Sequence, residues 1–357
     1  MGAMAEHHHS ETKVPGGKLV VADIDTEDGH ITSAVISGDF FLEPDEAYEA
    51  ISPALVGASV KDDTAALTAR LDAALADYPD LSLHGFTTRD IAQTARRAVV
   101  DAVDFTDLEF EIVRPGVLPT AMNVALDEVL LDEVESGERG PLLRFWDWDD
   151  TATVIGSYQS YQNELEQAGV DKYNVQVVRR LSGGGAMFME GGNCITYSIY
   201  VPDKLVAGLS YVDSYEYLDR WVIAALQSLG VRAWYVPIND ITSDGGKIGG
   251  AAQKRKGHSV LHHVTMSYDI DADKMMEVLR IGKVKIVDKG IRSAKKRVDP
   301  LRRQTGSTRE EIITHMIDTF ATRYGAQIAK LTEAELEAAR QLVSEKYDTE
   351  AWRHRVP

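Results

Sequence analysis

The chain of 357 residues lacks most features of secreted, membrane and nucleic-acid-binding proteins. Cys194 is its one cysteine, so no internal disulfide can form and a cytoplasmic location is expected. No apolar run approaches the roughly 18 residues that a membrane helix requires. Acidic residues outnumber basic residues by 56 to 38, and the resulting net charge of −18 argues against non-specific binding to nucleic acid.

The length and the residue patterns indicate more than one domain. Residues 1–16 contain His7–His9 but no apolar signal-peptide segment, and their composition predicts a disordered tail. The three histidines are compatible with a metal-binding tract or with the remnant of an added tag. At 17–104, β-branched alternation predicts a hairpin, and periodic apolar residues predict about three helices. A larger domain with both strands and helices is expected at 108–350.

A glycine-rich stretch, VRRLSGGGAMF at 178–188, is the most informative segment. Three consecutive glycines permit positive φ and let a ligand approach the backbone closely. The P-loop pattern and the Gly-x-Gly-x-x-Gly dinucleotide pattern are both absent here. Two interpretations are left. The stretch is either a tight hairpin turn with a solvated arginine pair, or a turn whose amides and Arg180 bind an anion.

A second informative stretch contains Lys247 between glycines, GKIGGAAQ at 246–253, shortly after Asn239 and Asp240. A lysine flanked by small residues suits a strand whose ammonium meets a ligand pressed against the backbone. With both stretches present, the chain resembles the lipoate-protein ligase family, within the biotin/lipoate protein ligase superfamily. The matching segments follow the family's order: Arg180–Ala186, Gly192–Asn193, Asn239–Asp240, Lys247–Ala251, and Lys289–Val298, which resembles the adenylate-binding loop.

The resemblance implies a fold of the α+β kind. The catalytic domain, at 108–350, is expected to have mixed or antiparallel sheets flanked by helices, as in biotinyl and lipoyl protein ligases. The segment 17–104 resembles the small α+β accessory domain of the family, which usually follows the catalytic domain or forms a separate chain. Its position at the N-terminus is a permuted order.

The resemblance also implies a reaction and its partners. Free lipoate or octanoate is activated by ATP to lipoyl-AMP, and the acyl group is then transferred to a lysine of a lipoyl-carrier domain. ATP, Mg²⁺ and lipoate take part, with no tightly bound cofactor. The expected acceptors are carrier domains of 2-oxoacid dehydrogenase complexes, or H-type proteins of glycine cleavage. Neither nucleic acid nor membrane is an expected partner.

The resemblance assigns roles to individual residues. Lys247 is expected to contact both lipoate and ATP and to stabilise the charge that develops between them. Asp240 is also a candidate ligand of Mg²⁺. The expected lipoate contacts, besides Lys247, are Trp146, Tyr158 and His263. The expected nucleotide contacts, besides Lys247, are Arg180, Ser182, Gly183, Gly184, Gly185, Ala186, Met187, Phe188, Asn239 and Asp240.

Other functions stay open at this point. An octanoyl or lipoyl transferase would use the Cys194 thiolate and no ATP, and a non-catalytic lipoate-binding protein would keep only the fold. A biotin ligase is disfavoured because its glycine motif differs. The run 283–303 has nine Lys or Arg residues and could contact nucleic acid, but it lacks interleaved aromatic residues. The family match favours a loop that orders over an acyl-adenylate.

Overall fold

A computed structural model describes residues 5–280 and 300–356. The chain divides into two compact units, the first made of residues 1–104 and 204–214, the second of residues 105–203 and 215–357. The predicted loop at 289–298 lies outside the described residues, as does the cationic run up to residue 299. Among the described residues, no helix is long and apolar enough to cross a membrane.

The first unit consists of a three-stranded antiparallel sheet, helices and a small two-stranded sheet. In the strand 19–27, residues Val20 and Ile24 are buried against Ile91 and its neighbours from the helix 88–99. The predicted hairpin and three helices are confirmed. The elements are β1 (Glu6–Lys13), β2 (Leu19–Glu27), β3 (His30–Gly38), β4 (Phe41–Glu43), α1 (Tyr48–Leu55), α2 (Thr64–Leu75), β5 (Ser82–His84) and α3 (Thr88–Val99).

The prediction of a disordered tail at 1–16 was wrong for β1. This strand pairs with β2 along its whole length. His8 is buried, with Nδ1 2.9 Å from Asp101 Oδ1 and Nε2 2.9 Å from Thr26 Oγ1. A strand at a sheet edge gains backbone hydrogen bonds whatever its composition, so this polar segment is ordered without an apolar stripe. The described residues contain no group of three or more His, Cys, Asp or Glu arranged to hold a metal.

The first unit also includes the segment 204–214, which lies far from it in the sequence. Arg97 of α3 is buried, and its Nη1 donates to the carbonyl oxygens of Leu205 and Ala207, both at 3.1 Å. Leu205 and Val206 are themselves buried. The predicted boundary near residue 104 therefore describes only one end of this unit.

The second unit is built on an eight-stranded, mainly antiparallel sheet and a separate three-stranded sheet. The predicted mixed α+β fold class is confirmed. The elements are β6 (Glu111–Val113), α4 (Thr120–Ser136), β7 (Leu142–Trp146), β8 (Thr151–Ile155), α5 (Tyr161–Glu164), α6 (Gln167–Lys172), β9 (Gln176–Arg179), β10 (Met187–Glu190), β11 (Cys194–Pro202), α7 (Tyr211–Ser228, whose first turn belongs to the first unit), β12 (Ala233–Val236), β13 (Asp240–Ser243), β14 (Gly246–Lys256), β15 (Ser259–Ser267), α8 (Ala272–Val278), α9 (Leu301–Thr305), α10 (Arg309–Tyr324), β16 (Gln327–Ala329), α11 (Glu333–Leu342) and α12 (Glu350–Arg353).

The glycine-rich stretch is a crossover and not a hairpin turn. Strands β9 and β10, which it joins, lie on opposite sides of β8 in the order β10-β8-β9. The stretch therefore passes across the end of β8. There, a Cβ placed on Gly156 would lie 2.1 Å from the carbonyl oxygen of Gly184, and Gly184 itself has φ +91°. Glycine is required at both positions, for close approach at one and for a left-handed backbone at the other.

The centre of the large sheet places polar groups beneath this crossover. Its order is β12-β13-β14-β15-β11-β7-β6-β16, and α4 packs on β11 and β15. On β15, His262 contacts Asp219 whereas His263 contacts Asp127 of α4. The two histidines thus point to opposite faces, as the alternation of a strand predicts. His263 and Asp127 lie on the side of the sheet that faces the crossover.

Candidate active site

A cavity of about 480 Å³ lies in the second unit, between the glycine-rich stretch and β14. It brings together eight of the residues singled out from the sequence: Trp146, Arg180, Gly185, Ala186, Met187, Asn239, Lys247 and His263. The sequence reasoning missed other lining residues, among them Val154, Gln159, Asn163, Met189, Thr196, Thr265 and Arg280. The wall therefore combines apolar side chains with amide, hydroxyl and cationic groups, as a site for an amphipathic ligand requires.

Lys247 lies near the start of β14, on the open side of the cavity. Its Nζ is 2.7 Å from Asp240 Oδ1, and the two side chains are 42% and 35% exposed. A Cβ placed on Gly250 would lie 3.0 Å from the Lys247 Nζ, so glycine at 250 leaves room for the ammonium. Asn239 Nδ2 donates to Ala251 O at 2.6 Å, and Ala251 N donates to Asn239 O at 2.9 Å. These bonds attach the Asn-Asp pair to β14.

Arg180 holds the glycine-rich stretch in place. Its guanidinium is buried and donates to four acceptors within the protein. These are Ser182 Oγ at 2.9 Å, Val154 O at 3.1 Å, Gly183 O at 2.6 Å and Gly185 O at 2.9 Å. Burial lowers the pKa of Arg180 to about 10, which still leaves the group cationic at neutral pH. Arg180 thus shapes the stretch through its hydrogen bonds and also gives the cavity wall a positive charge.

A directed chain of hydrogen bonds continues from Arg180 to His263. Ser182 Oγ accepts from Arg180 Nε, so its own proton is available to His263 Nε2, which lies 2.7 Å away. His263 Nδ1 then carries a proton and donates to Asp127 Oδ2 at 2.7 Å. Burial lowers the pKa of His263, and this effect exceeds the opposing effect of the hydrogen bond that His263 donates to Asp127. We conclude that His263 lines the cavity as a neutral imidazole of fixed tautomer.

Asp127 ends this chain in the interior of the protein. It is fully buried, and its Oδ1 accepts from Arg144 Nη2 at 2.7 Å, Ser198 Oγ at 2.8 Å and Tyr200 Oη at 2.6 Å. Burial by itself would raise the pKa of Asp127, but the hydrogen bond from His263 and the charge of Arg144 outweigh it and lower that pKa. Asp127 is therefore an anion. One of its oxygens accepts from Arg144, Ser198 and Tyr200, and the other accepts from His263 and so positions that ring beneath the cavity.

Comparison with known proteins agrees with this geometry. Residues 119–321 match the family of the lipoyl protein ligase A/B catalytic domain. The chain belongs to this family. A "Probable lipoate-protein ligase A" of Mycoplasma pneumoniae is 32% identical over 231 residues, covering 64% of this chain and 67% of that one. The octanoyltransferase LipM of Halalkalibacterium halodurans is 26% identical over 274 residues, covering 69% of this chain and 99% of that one.

Solved structures of lipoate ligases have the same fold as this chain. A bi-partite lipoate protein ligase of Thermoplasma acidophilum, studied with its E2 lipoyl domain, has a TM-score of 0.62 at 25% identity and covers 69% of this chain and 96% of that one. A lipoate-protein ligase A bound with ATP has a TM-score of 0.60 at 23% identity, with 69% and 99% covered.

Several of the predicted contacts lie outside the cavity of this ligase-family chain. Tyr158, predicted to contact lipoate, does not line the cavity: it is 71% exposed, and its ring lies beside Gly183. Phe188 is buried in the apolar core around Ile155. Ser182, Gly183 and Gly184 are not among the lining residues, and Ser182 acts through its bonds to Arg180 and His263.

Asp127 and Arg144 are the largest omission from the sequence reasoning. Asn123 and Asp127 lie four residues apart in α4, within the apolar series of Met122 and Leu126. Polar residues on the buried face of a helix need partners, so this spacing was a signal of a buried network. Less in the sequence indicated that Arg144 belongs to this network, because an arginine in a strand can lie on either the buried or the exposed face.

Asp240 gains little support as a magnesium ligand. Its Oδ1 faces the Lys247 ammonium, and the described residues contain no cluster of three potential ligands. Mg²⁺ accepts one or two protein carboxylates when substrate phosphates supply the other oxygens, so a single Asp matches only a nucleotide-borne ion.

Cys194 is on the strand that carries the cavity-lining Thr196 but does not itself line the cavity. It begins β11, is buried, and is absent from the cavity lining. Burial raises the pKa of its thiol to about 12, so the reactive thiolate is scarce at neutral pH.

Proposed function

We propose that this protein is an ATP-dependent lipoate-protein ligase that activates lipoate or octanoate and transfers the acyl group to lipoyl-carrier domains. One observation carries the proposal. Lys247 lines the cavity with its ammonium accessible, whereas Cys194, the one cysteine, is buried, does not line the cavity and has a raised pKa. Adenylation requires a cation between two anions, and thioester chemistry requires an accessible thiolate. This contrast favours adenylation.

In the first half-reaction, a carboxylate oxygen attacks the α-phosphorus of ATP, and pyrophosphate leaves. Two unit charges about 4 Å apart repel by about 4 kcal/mol at an effective dielectric constant near 20. Lys247 reduces this repulsion and stabilises the charge that accumulates on the α-phosphate oxygens. Arg180 adds a fixed positive charge at the glycine-rich stretch, whose backbone would follow the nucleotide.

In the second half-reaction, the ε-amine of a carrier lysine attacks the carbonyl carbon of the acyl-AMP. An amide bond forms as the bond between the acyl carbon and the AMP oxygen breaks. AMP leaves with the electron pair of that bond, and the amine loses a proton. The acyl tail would lie against Trp146, Val154, Met187 and Met189. About seven buried methylene equivalents contribute on the order of 5 kcal/mol. Such a wall binds lipoate and octanoate with little discrimination between them.

The relatives support this proposal in part. The Mycoplasma pneumoniae relative is named as a ligase, one structural neighbour binds ATP, and another was studied with an E2 lipoyl domain. We therefore propose ATP, with Mg²⁺ on its phosphates, as the activating substrate. Carrier domains of 2-oxoacid dehydrogenase complexes or H-type proteins are the proposed acceptors, the first unit is the proposed accessory domain, and the cytoplasm is the proposed location.

The octanoyltransferase relatives favour a second candidate, an ATP-independent acyl transferase. That reaction would pass the acyl group from a thioester to a cysteine and then to the carrier. Here it would need Cys194 to leave the interior and ionise, against the effect of burial on its pKa.

The decisive experiment measures the mass of a recombinant E2 lipoyl domain after incubation with this protein and lipoate, with and without ATP and Mg²⁺. We expect a lipoyl increment that requires ATP and that persists in Cys194→Ser. An increment from octanoyl-carrier protein without ATP, lost in Cys194→Ser, would establish the transferase instead.

A further inference from the structure

A basic groove of about 310 Å³ lies next to the cavity in the second unit. Five cationic side chains and one carboxylate line it, in a chain whose net charge is −18. We use the name basic groove for the surface formed by Tyr158, Lys254, Lys256, Lys346, Trp352 and Arg355. A local excess of positive charge on an acidic protein is a feature that the catalytic chemistry in the cavity does not require.

Trp352 is a rigid platform at the centre of the basic groove. Its Nε1 donates to Arg179 O at 2.9 Å, which fixes the indole ring. Lys346 Nζ lies 4.4 Å from the ring centroid, and Arg355 Cζ lies 4.6 Å from it. These cation–π contacts hold two positive charges beside one aromatic ring. Tyr158, 71% exposed, adds a second aromatic side chain to the same surface.

The positive charge of the basic groove is only partly neutralised within the protein. Glu128 pairs with Lys346 at 2.6 Å, and Asp132 pairs with Lys256 at 2.5 Å. Lys254 makes no salt bridge within residues 5–280 and 300–356. Arg355 Nη1 contacts Ser157 Oγ at 3.4 Å, which leaves its charge without a carboxylate partner in the described chain. The groove therefore presents uncompensated cations to solvent.

The basic groove continues the cavity along one face of β14. Gly250 and Ala252 line the cavity, and Lys254 and Lys256 follow on the same face because side chains alternate along a strand. At about 3.3 Å per residue, these lysines lie about 7 and 13 Å beyond Ala252. The Tyr158 ring lies beside Gly183, two residues before Gly185, which lines the cavity. Any macromolecule that inserts a side chain into the cavity from this side will cover the groove.

We propose that the basic groove docks an acidic surface of the carrier domain and so aligns the acceptor lysine with the cavity. This inference rests on the proposed function, because only the second half-reaction uses a macromolecular substrate. The recognised feature is a set of carboxylates within about 15 Å of the acceptor lysine, a span taken from the strand distances. Exposed Tyr, Trp and Arg side chains are the residue types that dominate docking energetics. The net negative charge of the chain disfavours a long polyanion such as nucleic acid.

The test separates docking from activation with the double variant Lys254→Glu/Arg355→Glu in the full chain. Acyl-AMP formation is measured without any carrier, as lipoyl hydroxamate from lipoate, ATP and hydroxylamine. Transfer is measured on a recombinant E2 lipoyl domain over a range of its concentration. We expect an unchanged hydroxamate rate and a fall of about 10- to 100-fold in kcat/KM for the lipoyl domain, mainly through KM. Added salt should slow transfer by the parent protein more than transfer by the variant.

The matched control is Lys330→Glu, an exposed lysine just after β16. Strand β16 lies five strands from β14 in the large sheet, or about 24 Å at 4.8 Å per strand. This variant should match the parent in both assays. Equal kcat/KM in the parent and the double variant would overturn the docking proposal, as would binding to anionic vesicles or duplex DNA that the double variant loses while transfer is unaffected. A parent protein that forms no hydroxamate would instead contradict the proposed function.

Discussion

The two sides of the cavity use charged residues in opposite ways. On the inner side, Arg180 and Asp127 are buried, and each is bonded to several groups of the protein. On the open side, Lys247 and Asp240 form a single ion pair and are 42% and 35% exposed. The first arrangement fixes the shape of the site, and the second leaves a cation able to exchange its partner. Loss of the inner groups should therefore reduce stability, whereas loss of Lys247 should reduce activity.

The largest expected effect is on stability, for Asp127→Asn. The substitution leaves the buried Arg144 without its counter-charge, and breaking a buried pair costs about 3–5 kcal/mol. Urea unfolding should show this loss in the free energy of unfolding. The control is Asp132→Asn on the same helix, where an exposed pair with Lys256 contributes no more than about 1 kcal/mol. Similar losses in both variants would contradict the division between the two sides.

Lys247→Ala should reduce activity far more than it reduces stability. Removing the cation should slow ATP–pyrophosphate exchange in the presence of lipoate by about 100- to 1000-fold. The unfolding free energy should change by less than about 1 kcal/mol, because the side chain is partly exposed and solvent screens its single ion pair with Asp240. Lys256→Ala, on the same strand but outside the cavity, should exchange at the parent rate. Near-normal exchange by the Lys247 variant would refute its assigned role.

Ser182→Ala should have an intermediate effect on stability. The hydroxyl links Arg180 Nε to His263 Nε2, so its loss leaves two buried groups short of a partner, at a cost of about 1–3 kcal/mol. Thermal and urea unfolding measure the change. Ser344→Ala, an exposed serine bonded only to Gln341 O among the described residues, provides the comparison and should be close to neutral. A neutral Ser182 variant would show that the hydrogen-bond chain does not hold the inner side together.

The smallest expected effect is a dependence of stability on pH. The pKa of His263 in the folded protein lies below 6.5, so as pH falls below that value the unfolded chain takes up the proton first. Stability should therefore decrease from about pH 7 downward until the folded pKa is reached, by at most about 1.4 kcal/mol per pH unit. The lowered pKa of Asp127 acts in a separate, more acidic window, below about pH 4.

The pH effect is isolated by comparing slopes. Urea unfolding of the parent and of His263→Gln at pH 7.5 and pH 5.5 should show a steeper decrease in the parent. Parallel slopes would mean that His263 is not the group that titrates, whatever the difference in absolute stability between the two proteins.

The sequence was most informative where local chemistry determines structure. Glycines around Lys247 and in 178–188 identified both walls of the cavity, because close backbone approach and positive φ leave few alternatives. The sequence was least informative where the tertiary fold determines which groups a side chain contacts. The nucleotide contact of Arg180 stays a prediction; its side chain lines the cavity, and its hydrogen bonds go to neighbouring carbonyl groups. Tyr158 was expected to contact lipoate, but it does not line the cavity, and its ring lies beside Gly183.

One prediction was wrong and one alternative is excluded because both depend on how strands pair. The strand β1 has the composition of a tail, and only its pairing with β2 makes it part of a sheet. The glycine-rich stretch looked compatible with a hairpin, and only the order β10-β8-β9 shows a crossover. Neither composition nor periodicity encodes which strands pair, whether the strands are neighbours, as β1 and β2 are, or are joined by a crossover.

The inclusion of residues 204–214 in the first unit has a consequence for synthesis of the chain on the ribosome. The N-terminal 104 residues emerge first, but Arg97 finds the carbonyl groups of Leu205 and Ala207 only after about a hundred further residues have been translated. Until then, Arg97 Nη1 lacks these two acceptors, although Nη2 is able to donate to Val103 O. The first unit is thus unable to complete its folding until residues 204–214 have been translated.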